Sequence, residues 1–132
     1  MAAALALFMV EQDGHVLVVR WKEAELAFPS QWSLPGDALR ASETAPEAVT
    51  RFAAAELGIS VMGTDLIETG QLEGEGGQHQ MWVYRVGFEG KLRYRSSGPF
   101  SEVAWATASN LPKPMAASMQ ALLGRLLQTK VR

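Results

Sequence analysis

Residues 32–59 read WSLPGDALRASETAPEAVTRFAAAELGI, and the parsing of this stretch decides the fold. Trp32 to Leu34 is a short strand stopped by Pro35-Gly36. Downstream, Thr44 and Glu47 stand in the Thr-x-x-Glu relation of a capping box, in which each side chain satisfies an orphaned backbone N–H. Pro46 falls in the first turn, where its missing donor costs little, and Gly58 is placed for a left-handed C-terminal cap. The spacing predicts a helix from about Thr44 to Leu57. At about 100° per residue, Phe52, Ala55 and Glu56 share a face with Ala45 and Ala48. Val49, Ala53 and Leu57 form an adjoining core stripe, while Glu47, Thr50 and Ala54 face solvent.

Working outward, Leu5 to Val10 and Val16 to Arg20 are β-prone runs separated by Glu-Gln-Asp-Gly-His, which predicts a hairpin turning at Gly14. Residues 21–31 read as a loop. Leu66 to Leu72 is a predicted strand, followed by a glycine-rich loop from Glu73 to Gly77. Gln80 to Phe88 alternates as a strand, with Trp82, Tyr84, Val86 and Phe88 in phase. Gly90 is expected to turn the chain back through Leu92 and Tyr94. Glu102 to Ala106 is a further strand, and Pro112 to Pro114 introduces a last helix to about Gln128. No repeat or linker divides residues 1–132, which read as a single domain.

A hydrophobic content of 48% with 20% charged residues is globular composition, and 132 residues suffice for one core. The net charge of −2 offers no basic face for nucleic acid, so no nucleic-acid partner is expected. Arg85, Lys91, Arg93 and Arg95 cluster locally and read as a solvated hairpin edge. Without cysteine, disulfides and thiolate chemistry are excluded. The apolar start MAAALALFMV lacks a basic leader and is too short to span a bilayer as a helix. It reads as a buried strand in a protein with no membrane partner, and the expected location is cytoplasmic.

The same stretch resembles the Nudix box, the signature of a family of pyrophosphate-cleaving enzymes. The pattern is Gly, five residues, Glu, seven residues, Arg-Glu, an aliphatic, one residue, Glu-Glu, one residue, Gly and an aliphatic. Aligned on Arg51 and Gly58, Glu43, Arg51, Glu56, Gly58 and Ile59 keep it. Asp37 replaces the leading glycine, and Phe52 and Ala55 replace two glutamates. The hairpin, Trp32-Ser-Leu-Pro-Gly and Ser101-Glu-Val-Ala-Trp105 resemble the family's usual flanks. The resemblance implies an α/β fold, the Nudix-fold α/β/α sandwich, with a mixed β-sheet between the box helix and a C-terminal helix.

It also implies a chemistry. Water attacks a bridging pyrophosphate in a nucleoside diphosphate linked to another group, with Mg²⁺ or Mn²⁺ neutralising the phosphates. Mg²⁺ favours several oxygen ligands, which carboxylates three and four apart on a helix supply from one face. With two of these gone, Glu56 is the expected metal ligand and catalytic residue, with Gly36 and Asp37 as further metal candidates and Arg51 in support. Asp37 also reads as a plain turn residue. Arg51 is expected to pair with Glu47 one turn earlier, and Glu43, Glu73 or Glu75 are candidate compensating acids. Trp21, Phe28 and Trp82 are candidate stacking residues for a nucleoside-diphosphate-type small molecule, each also readable as packing. His15 reads as a turn residue and His79 as solvent-facing.

Two readings follow: a weak hydrolase, or a catalytically silent Nudix-fold module that binds or regulates through a nucleotide. Ala45, Ala48 and Ala55 would also allow close approach of a second subunit, which leaves a homodimer open.

Overall fold

The computed structural model describes residues 3–23, 27–95 and 97–128, so residues 24–26 of the expected 21–31 loop lie outside the described residues. β1 (Ala4–Met9), β2 (Glu11–Gln12) and β3 (His15–Trp21) come first, then β4 (Trp32–Ser33) and β5 (Gly36–Ala38). Helix α1 (Ala45–Phe52) continues into a π-helical turn over Ala53–Leu57. β6 (Ser60–Gly74), β7 (Gly77–Glu89), β8 (Phe100–Ala106) and α2 (Ala117–Gln128) complete the order.

The strands form two sheets. One is mixed, in the order β5-β1-β7-β6, with β1 parallel to β7 and the other pairs antiparallel. The other joins β2, β3, β4 and β8, with β3 flanked by antiparallel partners. α1 lies against β1 and β5, and α2 against β6. The mixed sheet thus sits between the box helix and the C-terminal helix, as expected of the sandwich. Among the described residues no helix is long and apolar enough to cross a membrane.

The N-terminal hairpin is shorter than expected. Asp13 and Gly14 both take positive φ (54° and 79°), the backbone of a two-residue primed turn that an Asp-Gly pair favours. They join β2 to β3. β1 leaves that hairpin at Val10 and enters the mixed sheet, because every residue from Leu5 to Val10 is buried and needs cover on both sides. β6 begins six residues earlier than the predicted Leu66, and the Glu73–Gly77 segment is a tight hairpin with Gly74 opposite Gly77 rather than an open loop. Residues 91–95 form no strand. The backbone N–H of Arg93 instead donates to the Leu57 carbonyl (2.9 Å) at the end of the π turn.

His79 is fully buried, against the expectation of a solvent position. Its Nδ1 accepts from the Ala3 N–H (3.0 Å) and its Nε2 lies 2.7 Å from the Glu75 carbonyl. That pairing assigns the proton to Nε2. The imidazole ties the start of β1 to the hairpin tip.

Pro35-Gly36 brings β5 onto β1. Gly36 has φ 151°, and a Cβ there would stand 2.2 Å from the Ala6 carbonyl oxygen and 2.8 Å from Leu7 Cα. Only glycine permits that approach. Gly36→Ala is therefore expected to lower unfolding free energy by about 1–3 kcal/mol, read from urea denaturation. Unchanged stability would mean that β5 does not pack this closely on β1.

Candidate functional site

Helix α1 is capped as the sequence predicts. The Thr44 Oγ1 accepts from the Glu47 N–H (3.3 Å), and Glu47 Oε1 accepts from the Thr44 N–H (2.9 Å). This assignment corrects the expected Arg51–Glu47 pair, because the Glu47 carboxylate is spent on the cap. Arg51 turns instead toward the preceding loop. Its Nε donates to Glu43 Oε2 (2.7 Å), Nη2 to Glu43 Oε1 (2.9 Å) and Nη1 to Asp37 Oδ2 (3.0 Å). Asp37 Oδ1 accepts from the Ala38 N–H (2.8 Å), and Glu43 Oε1 also accepts from the Arg40 N–H (2.9 Å). One guanidinium thus holds Glu43 of the box and Asp37, which stands at the place of its leading glycine.

The predicted common face of Phe52, Ala55 and Glu56 is split. Phe52 is buried, and its ring lies 6.1 Å from Phe8, 5.9 Å from Trp21 and 6.2 Å from Phe100, centroid to centroid. Past it the backbone widens into the π turn, which rotates the next side chains away from the α-helical phase. Ala55 is exposed and Glu56 half-buried. Both line a cleft of about 360 Å³ with Gly58, Arg93, Tyr94 and Arg95. Ala45 and Ala48 are buried in the domain's own core, so the expected alanine surface for a second subunit is used up internally.

Asp37 and Gly36 line a different, narrower cleft of about 70 Å³, with Trp21, Phe28, Leu5 and Leu7 among its walls. Trp21 also donates its Nε1–H to Ser33 Oγ (2.6 Å) and packs on Phe100 at 6.0 Å. It is mainly a core residue, and Phe28 is buried beside it. Trp82 stands in register with Ala6, between Leu5 and Leu7, so strand alternation puts it on the opposite face of the sheet from this cleft. Glu73 and Glu75 line a third cleft, with Gln31 and Ser118. His15 is the expected turn residue, its Nδ1 2.9 Å from the Asp13 carbonyl.

Among the described residues these placements gather no cluster of carboxylates for a divalent ion. Mg²⁺ asks for near-octahedral oxygen ligands and dehydrates reluctantly. Among the described residues no three His, Asp or Glu side chains converge. Asp37 and Glu43 are engaged by Arg51, and Glu56 lines a separate cleft. The arginine pair with Asp37 and Glu43 and the loop arginines beside Glu56 were missed by sequence reasoning. Only the local cluster of basic residues after Gly90 hinted at the second group.

The Arg51 contact is measurable. The Arg51 guanidinium, helped by the Arg40 N–H, lowers the Glu43 carboxyl from its ordinary 4.5 to about 2. In return Glu43 first, and then Asp37, push the Arg51 guanidinium further up. Because the folded value of Glu43 lies below the unfolded one, its stabilising contribution is complete above 4.5 and lost as pH falls from there through about 2. A carbon-detected titration should show a Glu43 midpoint near about 2, returned toward the ordinary glutamate range by Arg51→Ala. An ordinary midpoint in the unmodified protein would mean that the contact is not made.

The NUDIX domain profile matches residues 1–126. The MutT Nudix hydrolase of Burkholderia pseudomallei superposes with a TM-score of 0.78 at 22% identity, over 100% of this chain and 99% of that one. A MutT protein from Methanosarcina mazei Go1 gives 0.83 at 17%, over 99% and 96%. The ORF135 protein of E. coli gives 0.75 at 18%, over 98% and 91%. No curated protein matches the chain. At these identities the structures establish the fold, and the profile, which spans nearly the whole sequence, establishes descent: the chain belongs to the Nudix family.

Proposed function

We propose that this domain binds a nucleoside-diphosphate-type ligand and does not cleave it at an appreciable rate. Nudix hydrolases act on nucleoside-diphosphate-linked substrates and generally use divalent metals. Cleaving a phosphoanhydride requires neutralised phosphates and a water aimed in line, both of which a bound metal supplies. The observation that carries the reading is the Arg51 guanidinium bonded to both Asp37 and Glu43, which leaves Glu56 as the candidate metal ligand on the helix, with no ion pair among the described residues. A single carboxylate does not hold Mg²⁺ firmly. Trp21 and Phe28 are buried around a separate, narrow cleft, whereas the cleft beside Glu56 offers the room for phosphates.

A weak pyrophosphohydrolase is the second reading, favoured by one observation. Glu56 retains a carboxylate at its box position and lines an open cleft. If it works as metal ligand or base, with Arg51 in support, turnover will depend on it.

The test is a panel of nucleoside diphosphate derivatives with Mg²⁺ or Mn²⁺, assayed for binding and for phosphate release. Binding without release is expected. Metal-dependent release abolished by Glu56→Gln would overturn the binding-only reading and establish the hydrolase.

The two lost glutamates differ in how readily they return. Ala55 is exposed, so Ala55→Glu should fold normally and strengthen Mn²⁺ binding by calorimetry, giving the cleft a second carboxylate. Phe52 sits within the aromatic cluster. Phe52→Ala should cost about 3–5 kcal/mol in denaturant unfolding, and Phe52→Glu at least as much, since it buries a carboxylate. A fully stable Phe52→Glu protein would show that the ring is not part of the core.

A further inference from the structure

We infer that Arg93 and Arg95 form a cationic grip for the diphosphate of the ligand, replacing with fixed guanidinium charge the counter-charge that metal would otherwise provide. The inference rests on the ligand-binding reading and names the part of the ligand that this cleft takes.

Arg93 and Arg95 line the same cleft of about 360 Å³ as Ala55 and Glu56, and these two are box positions that the family resemblance assigns to metal-binding glutamates. The volume falls within the usual range for small-molecule sites.

The segment carrying the arginines is held at several points. The Arg93 N–H donates to the Leu57 carbonyl at 2.9 Å, and the Gly98 N–H donates to the Arg95 carbonyl at 3.0 Å. The Tyr94 ring stands 5.5 Å from Phe100, which extends the aromatic cluster into the loop. The Arg93 stem passes within 3.4 Å of where a Cβ would stand at Gly58. The guanidiniums are therefore presented from an anchored backbone, which reduces the ordering cost of binding.

Their charges are also available. The ion pairs among the described residues engage Arg20, Arg51, Arg85 and Arg125, and neither Arg93 nor Arg95. This corrects the view of one hairpin edge: Arg85 is paired with Glu11 (2.9 Å) between the two sheets, while the exposed Arg93 and Arg95 lie on a segment without strand structure and line the cleft. Glu56 is the opposing charge in the cleft. Its Oε1 lies 3.0 Å from where a Cβ would stand at Gly98, close against the loop backbone. Two guanidiniums against one carboxylate leave a local positive excess in a protein of net charge −2. A planar guanidinium offers paired N–H donors that match phosphate oxygens, with each bond strengthened by charge.

The experiment is calorimetric titration of the full chain with inorganic pyrophosphate and, separately, with adenosine diphosphate, both in EDTA. Pyrophosphate should bind saturably without metal. Arg93→Ala/Arg95→Ala should weaken it by about tenfold or more, and Arg93→Lys/Arg95→Lys should recover part of the loss. Circular dichroism checks that the variants keep the fold, which is expected because both side chains are exposed. Pyrophosphate binding that is absent, that requires Mg²⁺ or that is unchanged in the alanine variant would overturn the grip. If adenosine diphosphate then binds the unmodified and alanine proteins equally, ligand binding stands and only the grip falls. If it binds neither, and Mg²⁺ or Mn²⁺ does not restore binding, both fall.

Discussion

The site is organised by one guanidinium. Arg51 projects from the last turn of α1 and bonds to Glu43 in the loop ahead of the helix and to Asp37 in β5. Three elements far apart in their local preferences are thereby fixed to one another. The bonds are charge-assisted and, at Glu43, doubled, the geometry in which an arginine–carboxylate contact is strongest. The same contact decides what the acids are able to do. A carboxylate held by a guanidinium is a poor ligand for a second cation, since a metal must displace the arginine and shed its own water. The contact therefore takes up Asp37 and Glu43, two of the candidate acids, in an architectural bond.

Phe52 makes the change more than a matter of missing charge. Its ring joins Phe8, Trp21 and Phe100, and aromatic pairs in such arrangements add about 0.5–1.5 kcal/mol each beyond the area they bury. A glutamate pointing into this cluster would be desolvated without a partner. The helix thus exchanges a polar, ion-facing side chain for a core residue, and the π turn that follows lets the chain return to the surface at Ala55 and Glu56. Reversal would demand repacking across both sheets, because Phe8 belongs to the mixed sheet and Trp21 and Phe100 to the other.

Local signals were the legible ones. The capping box at Thr44 and Glu47, the Gly58 cap (φ 70°) and the Asp13-Gly14 turn all appear as the sequence predicts, since each depends on residues within a few positions. What the sequence hid depends on distant partners. Glu47 is the acid closest along the helix to Arg51, yet the cap claims it, and the real partners arrive only when β5 folds back beside β1. Helical periodicity placed Phe52 and Glu56 on one face, but the π turn breaks that phase. His79 looked solvated until Ala3 and the Glu75 carbonyl enclosed it. Alternation through Leu92 and Tyr94 invited another strand, but the Leu57 carbonyl captures Arg93 first.

Fixed cations and bound metals solve different parts of the phosphate problem. Both neutralise charge, and a guanidinium does so without being dehydrated from bulk solution at each binding event. Only the metal also lowers the pKa of a bound water enough to make a nucleophile near neutral pH. A cleft lined by one carboxylate, Glu56, and by two arginines outside the ion pairs of the described residues suits the first task. The Arg51 contact and the loop arginines are thus two sides of one electrostatic arrangement. Asp37 and Glu43 are neutralised from within by Arg51, and Arg93 and Arg95 bring positive charge to the cleft beside Glu56. In the proposed reading, binding without cleavage rests on that arrangement as well as on the two missing glutamates.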